Sequence, residues 1–294
     1  MATATQRPKL VAIVGPTASG KSDLAMRLAG EFDGEIICGD SRTVYKSMDI
    51  GTAKPTPEDQ AEVKHWGLDL VEPGQRFTAA DFKKYAGNAI ADIRSRDKLP
   101  ILVGGTGLYI DSVIFDFGFR DDINLLKRQK LEGLSVPQLQ KIIQEKGYKM
   151  PENKQNKRHL IRTVETKGQA GSRKNRLPTG VILVGILPTD EVIKARTGQR
   201  AKQIFADGIL NETKKIVRKY GKEAIYSTGG IVYGICLKVL EGSVPEAEAI
   251  EEFQKADWQY ARRQKTWFKR NPHINWFNSP EVAYKAIKKQ LLNT

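Results

Sequence analysis

Cysteine is nearly missing from this chain, with Cys38 and Cys236 alone among 294 residues. Two cysteines exclude a disulfide framework and a zinc quartet. Histidine is as scarce: His65, His159 and His273 are scattered, and none sits in a nucleophile or metal-ligand pattern. No apolar run approaches the roughly 20 residues that a membrane helix needs. The stretch Met1–Lys9 lacks the apolar segment of a secretory signal, which with the low cysteine count predicts a cytoplasmic location. There is no internal repeat and no long low-complexity segment. What is present, 40% hydrophobic and 28% charged residues, is the composition of a soluble globular protein with a substantial core.

Acidic residues are also short, 34 against 48 Lys and Arg, which leaves a net charge of +14. The excess is uneven. Between Gly118 and Pro178 there are 15 basic and 6 acidic residues, a net +9 that leaves +5 for the rest of the chain. Part of that surplus would suit a solvated face, but its concentration favours a polyanionic partner such as a nucleic acid.

The stretch Gly15-Pro16-Thr17-Ala18-Ser19-Gly20-Lys21-Ser22 fits G-x-x-x-x-G-K-[ST]. It follows an apolar run, Leu10–Val14, and precedes a helical pattern through Leu24, Ala25, Leu28 and Ala29. Glycines allow a tight turn in which successive N–H groups face a phosphate, and the helix N-terminus adds favourable partial charge. Lys21 would neutralise phosphate oxygens and the Ser22 hydroxyl would sit on Mg²⁺. The loop predicts a diphosphate-like ligand without saying what is done with it.

Residues 10–116 alternate strand-like and helical patterns. Strands are expected at Leu10–Val14, Glu35–Cys38, Leu68–Val71 and Leu99–Val103, with helices from Ser22 to about Phe32 and over Ala79–Arg94. This predicts an α/β, P-loop NTPase-like parallel sheet flanked by helices, with ligands at the carboxyl ends of the strands. The phosphate loop, Gly39-Asp40-Ser41 and Gly104–Gly107 should then converge on one edge. From Gly118 short Lys- and Gln-rich helical segments take over (Leu125–Leu131, Val136–Lys146, His159–Glu165), and Gly168–Pro178 reads as a flexible loop. A strand resumes at Val181–Leu187. The expected organisation is a core of residues 1–117 and 179–294, interrupted by a small helical basic insertion at 118–178. Beyond Pro188 helices are expected at Glu191–Asp207, Leu210–Lys219, Ile231–Leu240, Val244–Arg270 with a break, and Glu281–Leu291.

Asp40 follows the second strand directly. A carboxylate there suits a water-bridged Mg²⁺, a proton acceptor or a hydrogen bond to a substrate N–H; it equally suits a helix N-cap or an Asx turn. Thr106, in a Gly-rich turn, either meets a ligand or simply tightens the turn. Lys54 is a single loop cation. Arg196 and Arg200 share one helical face and would fork onto diphosphate oxygens or lie solvated. From Trp258 to Arg270 aromatics and cations interleave, which fits either stacking on bases or rings packed in a core.

With these residues in view, the chain resembles the tRNA dimethylallyltransferases, the adenosine-37 isopentenyltransferase family. The resemblance is carried by Gly15–Ser22, Asp40-Ser41 with Val44-Tyr45, Met48-Asp49-Ile50-Gly51-Thr52-Ala53-Lys54-Pro55, Val103–Tyr109, Arg162-Thr163-Val164-Glu165 and Ala261–Trp267. It departs where Thr43 replaces a common glutamine, at Val232–Ile235, and in part at Arg158–Arg162. The resemblance implies transfer of a dimethylallyl group from dimethylallyl diphosphate to N6 of adenosine 37 in tRNAs reading codons that begin with U. It implies Asp40 as base, Thr17, Thr106 and Arg200 as further catalytic residues, and Gly15–Ser22 with Arg196 as the diphosphate site. It also implies Mg²⁺ on Ser22, and tRNA contacts from Asp40, Ser41, Arg42, Thr43, Thr106, Arg128, Arg158, His159, Leu160, Ile161, Arg162 and Arg263. A monomer gripping the anticodon arm through its insertion is expected. Competing readings are an ATP-binding small-molecule kinase, a prenyltransferase of free adenine nucleotides, and an RNA-binding protein without turnover.

Overall fold

The structure, a computed structural model, describes residues 10–119, 125–169 and 171–293. The Met1–Lys9 stretch lies outside the described residues. The chain divides into two compact units: residues up to Ile114 together with those from Arg176 onward, and Phe115–Asn175.

The larger unit is built on a parallel six-stranded sheet of order β3-β2-β4-β1-β5-β6. The strands are β1 (Leu10–Val14), β2 (Gly34–Cys38), β3 (His65–Trp66), β4 (Leu99–Gly104), β5 (Val181–Ile186) and β6 (Asn275–Phe277). β1, β2 and β4 are buried along their whole length, as strands covered on both faces must be. Helices α1 (Lys21–Glu31), α2 (Pro57–Glu62), α3 (Ala79–Ser95) and α4 (Gly107–Ile114) connect the first strands. α3 starts at a reciprocal cap, with Thr78 and Asp81 each satisfying the other's backbone N–H. After β5 come α8 (Asp190–Ala206), α9 (Ile209–Tyr220), α10 (Lys222–Thr228), α11 (Ile231–Leu240), α12 (Glu246–Phe268) and, beyond β6, α13 (Pro280–Leu292).

Among the described residues, two of this unit's apolar clusters tie the sheet and the segment after β2 to the helices. One joins Val11, Ile13, Ile36, Ile101 and Val184 of the sheet to Leu24 and Leu28 of α1 and Ile287 of α13. The other joins Val44 and Met48 to α8–α12 through Ile204, Phe205, Ile209, Tyr233 and Phe253. Burial of these side chains is worth roughly 1.5–3 kcal/mol each before conformational entropy is set against it. At the sheet edge the buried Glu35 carboxylate accepts from Arg96 at 2.5 and 2.8 Å and from Trp66 Nε1 at 2.8 Å.

The smaller unit folds α5 (Leu125–Glu132), α6 (Val136–Glu145) and α7 (Lys157–Glu165) around Leu131, Leu139, Ile143, Leu160, Ile161 and Val164. It runs three residues earlier at each end than the predicted 118–178.

Several local expectations change. Leu68–Val71 is no strand; Asp69 has φ 54°, which breaks extended backbone, and only Tyr45 and Val71 form a bridge. The third strand is the preceding His65–Trp66. α12 is continuous over 23 residues, since nothing after Pro245 interrupts it with proline or glycine. β6 and α10 are not legible in the sequence because three and seven residues carry too little periodicity.

Candidate functional site

The phosphate loop, the turn after β2 and the turn after β4 meet at the carboxyl ends of neighbouring strands. Thr106 N–H donates to the Gly39 carbonyl at 3.2 Å, and Thr106 Oγ1 accepts the Ser41 N–H at 3.0 Å. So close an approach requires glycine at 104, where a Cβ would lie 2.1 Å from the Gly39 oxygen. Gly15 is similarly forced: φ is 155° and a Cβ would stand 2.4 Å from the Ile186 oxygen.

These turns line a cleft of about 710 Å³. Thr17, Lys21, Ser22, Asp40, Arg196 and Arg200 all border it. Lys21 Nζ donates to the Pro16 carbonyl at 3.0 Å. Burial holds its ammonium down to about 8, although Asp40 nearby pulls it up. Arg200 donates to Thr17 Oγ1, and Arg196 Nη1 donates to the Ala18 carbonyl at 3.2 Å. Both arginines reach the loop from α8, as their i,i+4 spacing predicts, Arg200 half-buried and Arg196 still exposed to solvent. Arg42 N–H donates to Asp40 Oδ1 at 2.8 Å, so Asp40 forms an Asx turn and also faces the cleft. Thr43 is buried, its hydroxyl donating to the Asp40 carbonyl at 3.3 Å. The Arg42 guanidinium donates to the Thr228 carbonyl at the end of α10. Burial pushes the Tyr260 hydroxyl at the cleft wall up to about 12.

Sequence reasoning missed three parts of this site. Gln264, buried on α12, accepts the Thr17 N–H at 2.8 Å and donates to the Gly105 carbonyl at 3.0 Å. Asp257, two helical turns earlier and also buried, lies 3.8 Å from Arg200. Glu212 on α9 gathers the N–H groups of Asp49, Ile50 and Gly51 at 3.0, 2.9 and 3.1 Å and accepts the Tyr233 hydroxyl at 2.6 Å. It thereby fixes the Met48–Pro55 run, of which Gly51–Pro55 border the cleft. Lys54, a single loop cation in the sequence, ties that run together, donating to Asp49, Asp69 and the Tyr45 carbonyl. A carboxylate at a buried helix position was the available signal for Asp257.

The aromatic and cationic segment of α12 divides between its two readings. Trp267 Nε1 donates to Asp111 at 2.7 Å and Trp258 is half-buried, while Arg262, Arg263 and Arg270 are exposed.

In the smaller unit, Arg158 and His159 are exposed. Leu160 and Ile161 are corrected: both side chains fill the insertion's own core and are closed to a tRNA. Arg128 is paired with Glu132 at 2.9 Å and Glu165 at 3.1 Å, and Arg162 with Glu165 at 3.5 Å. Among the described residues no three His, Cys, Asp or Glu side chains group to hold a metal, and no helix is long and apolar enough to cross a membrane.

Known proteins resemble this chain over most of its length. A family model described as IPP transferase matches residues 43–271. A tRNA dimethylallyltransferase of Staphylococcus epidermidis is 35% identical, over 97% of this chain and 91% of its own. Among solved structures, the tRNA delta(2)-isopentenylpyrophosphate transferase of Staphylococcus epidermidis is similar with a TM-score of 0.70 at 32% identity, covering 97% of this chain and 99% of that one. The full-length tRNA isopentenylpyrophosphate transferase of Bacillus halodurans gives 0.72 at 32% identity, over 98% of each. A model match over most of the chain, with relatives above 30% identity along nearly its whole length, shows that the chain belongs to the IPP transferase family.

Proposed function

We propose that this chain transfers the dimethylallyl group of dimethylallyl diphosphate to N6 of adenosine 37, beside the anticodon of tRNAs reading codons that begin with U. The observation that carries the reading is one cleft bordered both by a phosphate loop backed by two arginines and by a carboxylate, Asp40. Its relatives' names support the reaction class.

Adenine N6 is a weak nucleophile because its lone pair is delocalised into the ring. Asp40 accepts an N6–H hydrogen bond and takes that proton as the N6–C1 bond forms. The C1–O bond breaks, and its electron pair leaves with diphosphate. An allylic carbon tolerates positive charge, so the barrier rests on stabilising the departing oxygens. Lys21, Arg196, Arg200 and the loop N–H groups do this electrostatically. Thr17 and Thr106 orient the groups where the two substrates meet.

The donor set fits Mg²⁺ of the phosphate-loop kind: the described residues hold no acidic cluster, and Ser22, at the start of α1 and bordering the cleft, would supply a hydroxyl ligand. The ion would add positive charge against the leaving group. The target base leaves its stack at a cost of a few kcal/mol, offset by contacts to the anticodon arm. The basic insertion, with Arg158 and His159 at its surface, supplies part of that grip. In this reading the protein works as a cytoplasmic monomer, and its loop binds a leaving group without transferring phosphoryl.

The test is incubation of purified protein with unmodified tRNA transcript, Mg²⁺ and dimethylallyl diphosphate, followed by nucleoside mass analysis. A five-carbon addition on the adenosine beside the anticodon is expected. Consumption of ATP without that product would return the loop to kinase chemistry.

A further inference from the structure

Helix α12 turns Ala249, Phe253, Asp257, Ala261, Gln264 and Phe268 inward, a buried stripe at helical spacing. An aspartate in such a stripe breaks the apolar pattern, and departures of that kind concentrate at functional sites. Asp257 is 4% exposed. Its Oδ2 is buried without a hydrogen-bond partner, and so is Nε of Arg200. The two residues approach only to 3.8 Å, between Arg200 Nη1 and Asp257 Oδ2, while Arg200 also donates to Thr17 Oγ1. A helix pair selected only for packing would carry an apolar residue here, because an imperfectly bonded buried ion costs stability.

We propose that Asp257 is a positioning residue for the transfer reaction, its carboxylate standing behind Arg200 and holding that guanidinium toward Thr17 and the leaving diphosphate. This role rests on the functional reading above. Burial raises the Asp257 carboxyl, and Arg200 and Lys21 counter part of the rise. The same Arg200 nitrogen, Nη1, stands 3.8 Å from the carboxylate and donates to Thr17 Oγ1, so the carboxylate bears on the guanidinium edge that faces the phosphate loop. Because the carboxylate itself repels diphosphate, its benefit lies in orientation during bond cleavage and not in ground-state affinity.

The test is a double-mutant cycle on the full chain with Asp257→Asn and Arg200→Ala, with Asp257→Ser as a second variant should the first fail to fold. The readouts are dimethylallyl transfer to tRNA, inorganic diphosphate binding by calorimetry, and Tm. Asp257→Asn is expected to lower kcat by about tenfold or more, the scale of a misaimed charge stabiliser. Its diphosphate affinity should be equal to or tighter than wild type, and its Tm equal or higher. In the Arg200→Ala background the same change should add no further loss. A kcat equal to wild type, or the same fractional loss in both backgrounds, overturns the role of Asp257 while transfer by the wild-type protein upholds the functional reading. Wild-type protein that binds diphosphate but transfers nothing overturns both.

Discussion

Gln264 and Thr17 stand 247 positions apart in the chain and share a 2.8 Å hydrogen bond, from the Thr17 N–H to the Gln264 side-chain oxygen. The other end of the same amide donates to Gly105, so one side chain of α12 sets the spacing between the phosphate loop and the turn that carries Thr106. Both turns are therefore held by a helix from the far end of the sequence.

Replacing Gln264 with alanine leaves a buried N–H and a buried carbonyl unpaired, which should cost about 1–3 kcal/mol of stability. The two turns should also lose register and kcat should fall. Gln264→Glu keeps the acceptor for Thr17 but turns a buried carboxylate oxygen against the Gly105 carbonyl, and should be less stable than wild type at neutral pH. Urea unfolding midpoints together with kcat for the three proteins check these losses.

Asp40→Asn keeps the Asx turn and removes the proton acceptor. Prenyl transfer should fall by about 10²–10⁴, the usual range for a missing general base. tRNA affinity, measured by filter binding, should stay at the wild-type value. Equal loss of binding and turnover in a folded variant would count against Asp40 as the base.

The surface cations of the insertion are separable from its internal ones. Arg158→Glu should weaken tRNA binding and flatten the dependence of log K on log salt by about 0.7–0.9 for each phosphate that is no longer neutralised. Arg128→Ala breaks ion pairs to Glu132 and Glu165 and should lower the insertion's stability with little change of slope. Anisotropy titrations at several salt concentrations distinguish the two.

Stability toward acid should depend on Glu35. Hydrogen bonds from Arg96 hold its carboxyl down to about 2 from the ordinary 4.5. A depressed folded value means the contribution is complete above about 4.5 and is lost as pH falls toward about 2. Glu35→Gln should therefore destabilise the protein at pH 7, by about 1.5–3 kcal/mol for bonds to a charged group. The difference from wild type should shrink as unfolding is followed down to pH 3.

The sequence alone determined strands β1, β2, β4 and β5 of the sheet, the phosphate-loop motif and the family, but not the edge strands β3 and β6. Leu10–Val14, Gly15–Ser22 and Leu24–Ala29 are nearly contiguous, so strand, loop and helix can be read from local pattern, and Met48–Pro55 is an unbroken signature. The convergence of Asp40 and Thr106 on the loop also followed, because a parallel sheet brings the carboxyl ends of its strands together. Only the tertiary structure decided how those turns are held. Gln264, Asp257 and Glu212 act on Thr17, Arg200 and Gly51 across long stretches of chain, and each is an ordinary helix residue in sequence. It also decided which cations of the insertion face solvent, since Arg158 and Arg128 differ in the carboxylates that folding brings beside them. Local periodicity records which face of an element is buried; it does not record which element packs against that face, and the site depends on that pairing.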